Sequence, residues 1–149
     1  MATLWLVATP IGNMEDITYR AVRVLREADV LACEDTRQTL KILQRYEIQR
    51  TDKFVAYHEH NEERAGAALI AQLDQGRTVA LCSDGGMPGI SDPGYRLASA
   101  AIDAGHTVEV IPGPSAVQTA LVVSGLPTSS YTFKGFPAKK SGARVRFLA

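Results

Sequence analysis

Glu34-Asp35 and His58-Glu59-His60 lie where two short apolar runs give out, residues 30–33 and 54–57. Carboxylates and imidazoles at such positions can accept or donate protons. Imidazole titrates nearest neutrality, so His58 or His60 suits that task. Each of these residues also reads as a hydrogen-bonding group for a ligand, or as a solvated polar side chain. His58 and His60 lack a convincing third ligand, so no metal site is expected. A second feature is backbone chemistry. The stretch SDGGMPGISDPG, residues 83–94, holds four of the twelve glycines and two of the seven prolines. Glycine lets main chain approach a ligand closely and proline fixes its course.

These residues need a frame. Apolar runs at 3–8, 30–33, 54–57, 78–82 and 107–111 read as buried strands. Between them the spacing predicts helices: about 17–28 with Asp16 as cap, about 37–45, about 62–74 stopped by Gly76, and one opened by Asp92 and Pro93 and stopped by Gly105. A small-residue helix follows Ser115 and ends near Gly125. Strands alternating with helices predict an α/β fold: a parallel five-stranded sheet with helices on both faces. Pro10, Pro88, Pro93, Pro112 and Pro114 all follow strands one, four and five. In open α/β sheets ligands bind beyond the carboxyl ends of strands, so that edge is the expected site.

Composition sets limits. The 149 residues suit one domain with a real core, and the formal net charge is zero. Bulk charge therefore selects no partner. No apolar run approaches the length of a membrane span, and no leader is expected at the N-terminus. Cys33 and Cys82 close apolar runs and read as buried free thiols of a reducing cytosol. ATPIGN at residues 8–13 is not a dinucleotide fingerprint, and no P-loop is present. Glu34-Asp35 sits about where an acid would meet a ribose in a dinucleotide-binding domain, which keeps nucleoside-like ligands open. The residues alone leave open an enzyme and a non-catalytic nucleoside-binding or dimerisation module.

The ordered set LVATPIGNMEDIT, ACEDTR, YHEHNE, SDGGMPGISDPGYRL and IPGPSA resembles the ribosomal RNA small subunit methyltransferase I family. That family is a branch of the tetrapyrrole methylase-like methyltransferases. The resemblance also leaves a small-molecule, tetrapyrrole-type methylase as the alternative, and CEDTR and YHEHNE point away from it. The resemblance implies transfer of a methyl group from S-adenosylmethionine to a cytidine ribose 2′-hydroxyl of 16S rRNA in the small ribosomal subunit. It also implies a cytoplasmic homodimer and two α/β domains with the donor between them. Residues 1–127 would be the N-terminal domain. Residues 128–149 would be a linker and the truncated start of the second, leaving the chain alone without turnover. Carried over by position, Pro10, Ile11, Gly12, Asp84, Gly86, Met87, Pro88, Ile90, Ser115 and Ala116 would bind the donor. Glu34, Asp35 and His58 are the candidates for catalysis. Arg37, His60, Lys139, Lys140 and Arg144 are the candidates for RNA, although Arg37 could equally pair with a nearby acid. The family usually reads SDAGTPGISDPG, so Gly85 replaces Ala and Met87 replaces Thr; the latter removes a hydroxyl beside the expected donor site.

Overall fold

The computed structural model describes residues 2–51 and 54–148. Its strands are β1 (Thr3–Val7), β2 (Val30–Cys33), β3 (Val55–Ala56), β4 (Val79–Cys82) and β5 (Thr107–Ile111). They form one sheet in the order β3-β2-β4-β1-β5 with every pairing parallel, so all five carboxyl ends lie at one edge. The helices are α1 (Tyr19–Glu27), α2 (Thr36–Arg45), α3 (Glu62–Asp74), α4 (Tyr95–Asp103), α5 (Ala116–Val123) and α6 (Ser141–Leu148).

The central strands are apolar throughout because both faces are covered. Leu4, Leu6, Val30, Ala32, Val79 and Leu81 pack with Leu69 and Leu73 of α3 and Leu97 of α4. Val7, Leu31, Cys33, Ala80 and Cys82 point the other way, toward Val24 and Leu25 of α1 and Ile42 and Leu43 of α2. The period-two alternation of a strand divides each run between two cores. Sheet order explains which helix goes where. The chain moves one way along the sheet from β1 through β2 to β3, then back through β4 to β5. Right-handed crossovers therefore place α1 and α2 on one face and α3 and α4 on the other.

Two expectations fail locally. Asp16 does not cap α1: Met14–Asp16 forms a short 3-10 turn capped by Asn13, and Thr18 accepts the Ala21 amide instead. Asp92 and Pro93 do not open α4. The helix starts after Gly94, whose φ of 144° turns the chain into it. The edge strand β5 is only part-buried, with Val110 47% exposed. Its Glu109 accepts from Trp5 Nε1 at 2.9 Å and from Arg20.

The chain divides into two compact units, Met1–Ala116 and Val117–Ala149. Most of α5, together with α6, belongs to the second unit. Residues 117–127 lie in that second unit.

Candidate active site at the carboxyl edge of the sheet

The loop after β1 and the glycine-rich loop after β4 are stitched together. Thr9, fully buried, exchanges both main-chain hydrogen bonds with Gly86, each 2.9 Å. Its hydroxyl donates to the Ser83 carbonyl at 3.1 Å. A Cβ on Gly85 would stand 3.2 Å from the Pro10 carbonyl, and one on Gly113 would stand 2.9 Å from Cβ of Ala8. Three loops thus converge on one edge, so closely at Gly113 that an added Cβ would force a shift and at Gly85 that it would fit only tightly. Within the glycine-rich loop, the Gly89 amide donates to the Pro93 carbonyl at 3.2 Å and Ile90 donates to Met87 at 3.3 Å. Gly86 and Gly89 both have φ near 85°, a region that glycine enters without steric penalty.

Beside this backbone cradle stand four carboxylates. The Asp35 amide donates to Asp84 Oδ1 at 3.0 Å, and the Asp84 amide lies 3.4 Å from Glu34 Oε2. Main-chain donors thereby tie the acid after β2 to the acid after β4. Burial pushes the Glu34 carboxyl above its usual range, and Asp84, Asp92 and Asp35 add to the rise. Asp92 is likewise raised, by burial first and then by Asp84, against an opposing hydrogen bond from Ser83. Asp35 behaves oppositely. Arg37 donates to its carboxylate through Nε at 3.0 Å and Nη2 at 2.6 Å, and through its amide at 2.8 Å, holding Asp35 down at about 2. Arg37 is thus paired with an acid of its own helix cap, and it remains exposed.

His58 follows β3. Its amide donates to Asn61 Oδ1 at 2.9 Å, and Asn61 donates to the Ala56 carbonyl. Its Nδ1 is buried with no hydrogen-bond partner among the described residues. The ring meets His60, which is exposed, edge-on at 6.1 Å. Pro10 and Pro88 are buried, Gly12 is exposed, and Ile11 and Ile90 are 36% and 53% exposed beside the cradle. Ser115 precedes α5, and Ala116 opens it. Lys139, Lys140 and Arg144 belong to the second unit, at and around the start of α6. No group of three metal-ligating side chains occurs among the described residues. Thr9 and Ser83 escaped sequence reasoning because buried small residues carry no chemical signature. Asp92 escaped because its position before Pro93 reads as a cap.

The fold and the stitched loops define a class, and comparison with known proteins gives the family. The family model "Tetrapyrrole (Corrin/Porphyrin) Methylases" matches residues 3–143, and the chain belongs to this family. It is 57% identical over 146 residues to the ribosomal RNA small subunit methyltransferase I of Halalkalibacterium halodurans, covering 98% of this chain and 50% of that protein. Among solved structures, uroporphyrin-III-C-methyltransferase from Thermus thermophilus superposes with a TM-score of 0.62 at 30% identity, covering 87% of this chain and 55% of that one. A structure of that Thermus methyltransferase complexed with S-adenosylhomocysteine gives 0.58 at 25% identity, over 88% and 54%. The chain spans about half the length of the curated relatives it matches.

Proposed function

We propose that this chain is the donor-binding half of an S-adenosylmethionine-dependent methyltransferase that modifies small-subunit ribosomal RNA. The observation that carries the reading is the Thr9–Gly86 pairing, which closes the loops after β1 and β4 into one cradle beside Glu34, Asp84 and Asp92. A cradle of close main chain suits a flat nucleoside, and a ring of carboxylates suits a cationic sulfonium and a ribose diol. The donor, when bound, supplies a methyl group already activated for in-line displacement. The protein's share is alignment of two reactants at about 3–3.5 Å.

Pro10, Ile11, Gly12, Asp84, Gly86, Met87, Pro88, Ile90, Ser115 and Ala116 are assigned to the donor. A cytidine 2′-hydroxyl is the proposed acceptor, and it is a poor nucleophile. Glu34 is the best-placed proton acceptor, because burial and three neighbouring acids raise its proton affinity. Asp35, held ionised by Arg37, fits the work of orientation. His58 has an unengaged ring nitrogen, which fits a hydrogen bond to the acceptor ribose. Arg37, His60, Lys139, Lys140 and Arg144 are assigned to RNA phosphates. A cytoplasmic homodimer completes the reading. Among the described residues no helix is long and apolar enough to cross a membrane.

The test is calorimetric titration of S-adenosylhomocysteine into residues 1–149, and into a version extended to the length of the relatives. Both should bind, the longer one more tightly. Only the longer one should methylate small-subunit RNA. Absence of binding by both would refute the donor site; methylation of a tetrapyrrole instead of RNA would refute the substrate.

A further inference from the structure

A chain of zero net charge must bind a polyanion through local patches, and the first unit has one. The helices α1 and α2 carry Arg20, Arg23, Arg26, Arg37, Lys41 and Arg45 against a single acid, Glu27. On the opposite face, Glu62, Glu63, Asp74 and Asp103 of α3 and α4 outnumber Arg64 and Arg96. The sheet therefore separates a basic layer from an acidic one. Helical spacing aims the basic layer outward. In α2 the buried residues are Thr39, Ile42 and Leu43, so Arg37, Lys41 and Arg45 at i, i+4 and i+8 lie on the far side. In α1, Ala21, Val24 and Leu25 are buried, which turns Arg23 and Arg26 outward.

Three of the six cations have carboxylate partners: Arg20 with Glu109, Arg23 with Glu27 and Arg37 with Asp35. Arg26, Lys41 and Arg45 make no close ion pair among the described residues; Lys41 meets Gln38 and acts on Asp35 only at longer range, and Arg45 lies over the Tyr46 ring at 6.0 Å. Both helices start at the carboxyl edge, beside the cradle, and run away from it. Tyr19, the first residue of α1, is 98% exposed there. An exposed aromatic at the site end of a basic surface is the arrangement on which an unpaired base stacks while its backbone lies on the cations. The apolar residues of both helices are mostly packed into the core, with Leu40 of α2 at 41% exposure, which argues against a membrane surface as the occupant.

We infer that the outer face of α1 and α2 is the track on which the RNA backbone lies as its ribose enters the carboxyl edge. Arg26, Lys41 and Arg45 make the phosphate contacts and Tyr19 supports a base. The inference rests on the RNA methyltransferase reading and adds to it the surface that receives the substrate.

The test uses the 149-residue chain, a small-subunit rRNA transcript and a salt series. Each phosphate contact on a single strand contributes about 0.7 to the slope of log affinity against log salt. The variant R26Q/K41Q/R45Q should lower the slope by about 2 and weaken binding by roughly tenfold to a hundredfold near 0.1 M salt. Lys41→Gln alone should remove about a third of that slope change, a safeguard should the triple variant unfold. Arg64→Gln on the opposite face should change neither quantity, and S-adenosylhomocysteine binding should survive in all three. A triple variant with wild-type affinity and slope overturns the track and leaves the RNA reading standing. Donor-analogue binding without any RNA binding overturns the track alone. Loss of both by the wild-type chain overturns the two together. Equally tight capture by phosphatidylserine vesicles, lost in the same variant, would reassign the face to anionic lipid.

Discussion

Gly94→Ala tests whether the glycine-rich loop is shaped by backbone contact. Gly94 has φ 144° and ψ −31°, a combination that L side chains rarely adopt. Holding a non-glycine residue in such a region costs about 1–3 kcal/mol. Space is also short: a Cβ there would lie 3.0 Å from the Gly89 nitrogen and 3.3 Å from Leu81 Cδ2. The Gly89 nitrogen is main chain, fixed by its bond to the Pro93 carbonyl, and it cannot swing aside. Overpacking of this kind adds about 1–3 kcal/mol. The sum is roughly 2–6 kcal/mol, against a total stability of about 5–15 kcal/mol for an ordinary domain. Gly76→Ala is the control. Its φ is 81° with nothing within 4 Å of the added carbon, so only the left-handed penalty of about 1–2 kcal/mol applies. Urea unfolding of both variants, at unchanged m-values, should show the larger loss for Gly94→Ala. The S-adenosylhomocysteine affinity should fall with Gly94→Ala alone. Equal losses in the two variants would refute the claim that contact between Gly94 and Gly89 shapes the loop.

Four further outcomes follow from the same geometry. Because the folded-state pKa of Glu34 is raised, its ionisation destabilises the fold as pH rises through that value; Glu34→Gln should raise the melting temperature at pH 7.5, show no gain at acid pH, and abolish methyl transfer in the full-length relative context. Asp35 runs the other way: its pKa of about 2 lies below the unfolded value, so its stabilisation is present above that unfolded value and is lost as pH falls toward 2, and Arg37→Gln should flatten this part of the acid-unfolding curve. Cys82, buried with its thiol pushed up to about 12, and Cys33, buried and raised, should resist a thiol reagent at pH 8 until the chain is unfolded. Met87→Thr should change S-adenosylhomocysteine affinity by less than about threefold, since the loop offers main chain to the ligand; a tenfold gain, about 1.4 kcal/mol, would show that the missing hydroxyl matters.

What the sequence discloses is governed by the range of the forces involved. The helix at 62–74 and the strand at 107–111 are read to the residue because Gly76 and Gly105 mark stops and periodicity does the rest. The caps of α1 and α4 are misread for a different reason. Asp16, Thr18 and Asp92 are all chemically fit to cap, and the choice depends on the 3-10 turn at Met14–Asp16 and on the positive φ of Ser91 and Gly94. The candidate site splits in the same manner. Its loops are legible as punctuation after apolar runs. The Thr9–Gly86 pairing joins segments that only the sheet order brings together, so no local pattern announces it. Arg37 shows the limit from the other side: its partner is two residues away, yet a phosphate or a carboxylate would satisfy the same guanidinium.

The acids explain why a chain of balanced charge still has polarised working surfaces. Asp84 adds to the raised proton affinity of Glu34 and of Asp92 at the ends of β2 and β4, and its amide faces the Glu34 carboxylate. Such a cluster is an unfavourable arrangement left to itself, because each added carboxylate makes the next harder to ionise. Binding a cation relieves that repulsion, and binding a neutral thioether does not. Under the proposed reading, the donor carries its positive charge on sulfur and the product carries none. The same carboxylates that hold the sulfonium therefore release the spent product more readily. Arg37 is kept out of this balance by its bond to Asp35, and Arg26, Lys41 and Arg45 lie on the outer side of α1 and α2. Under that reading opposite charges serve opposite tasks: carboxylates at the strand ends for a cationic donor, and guanidinium and ammonium groups on the helices for a polyanionic acceptor.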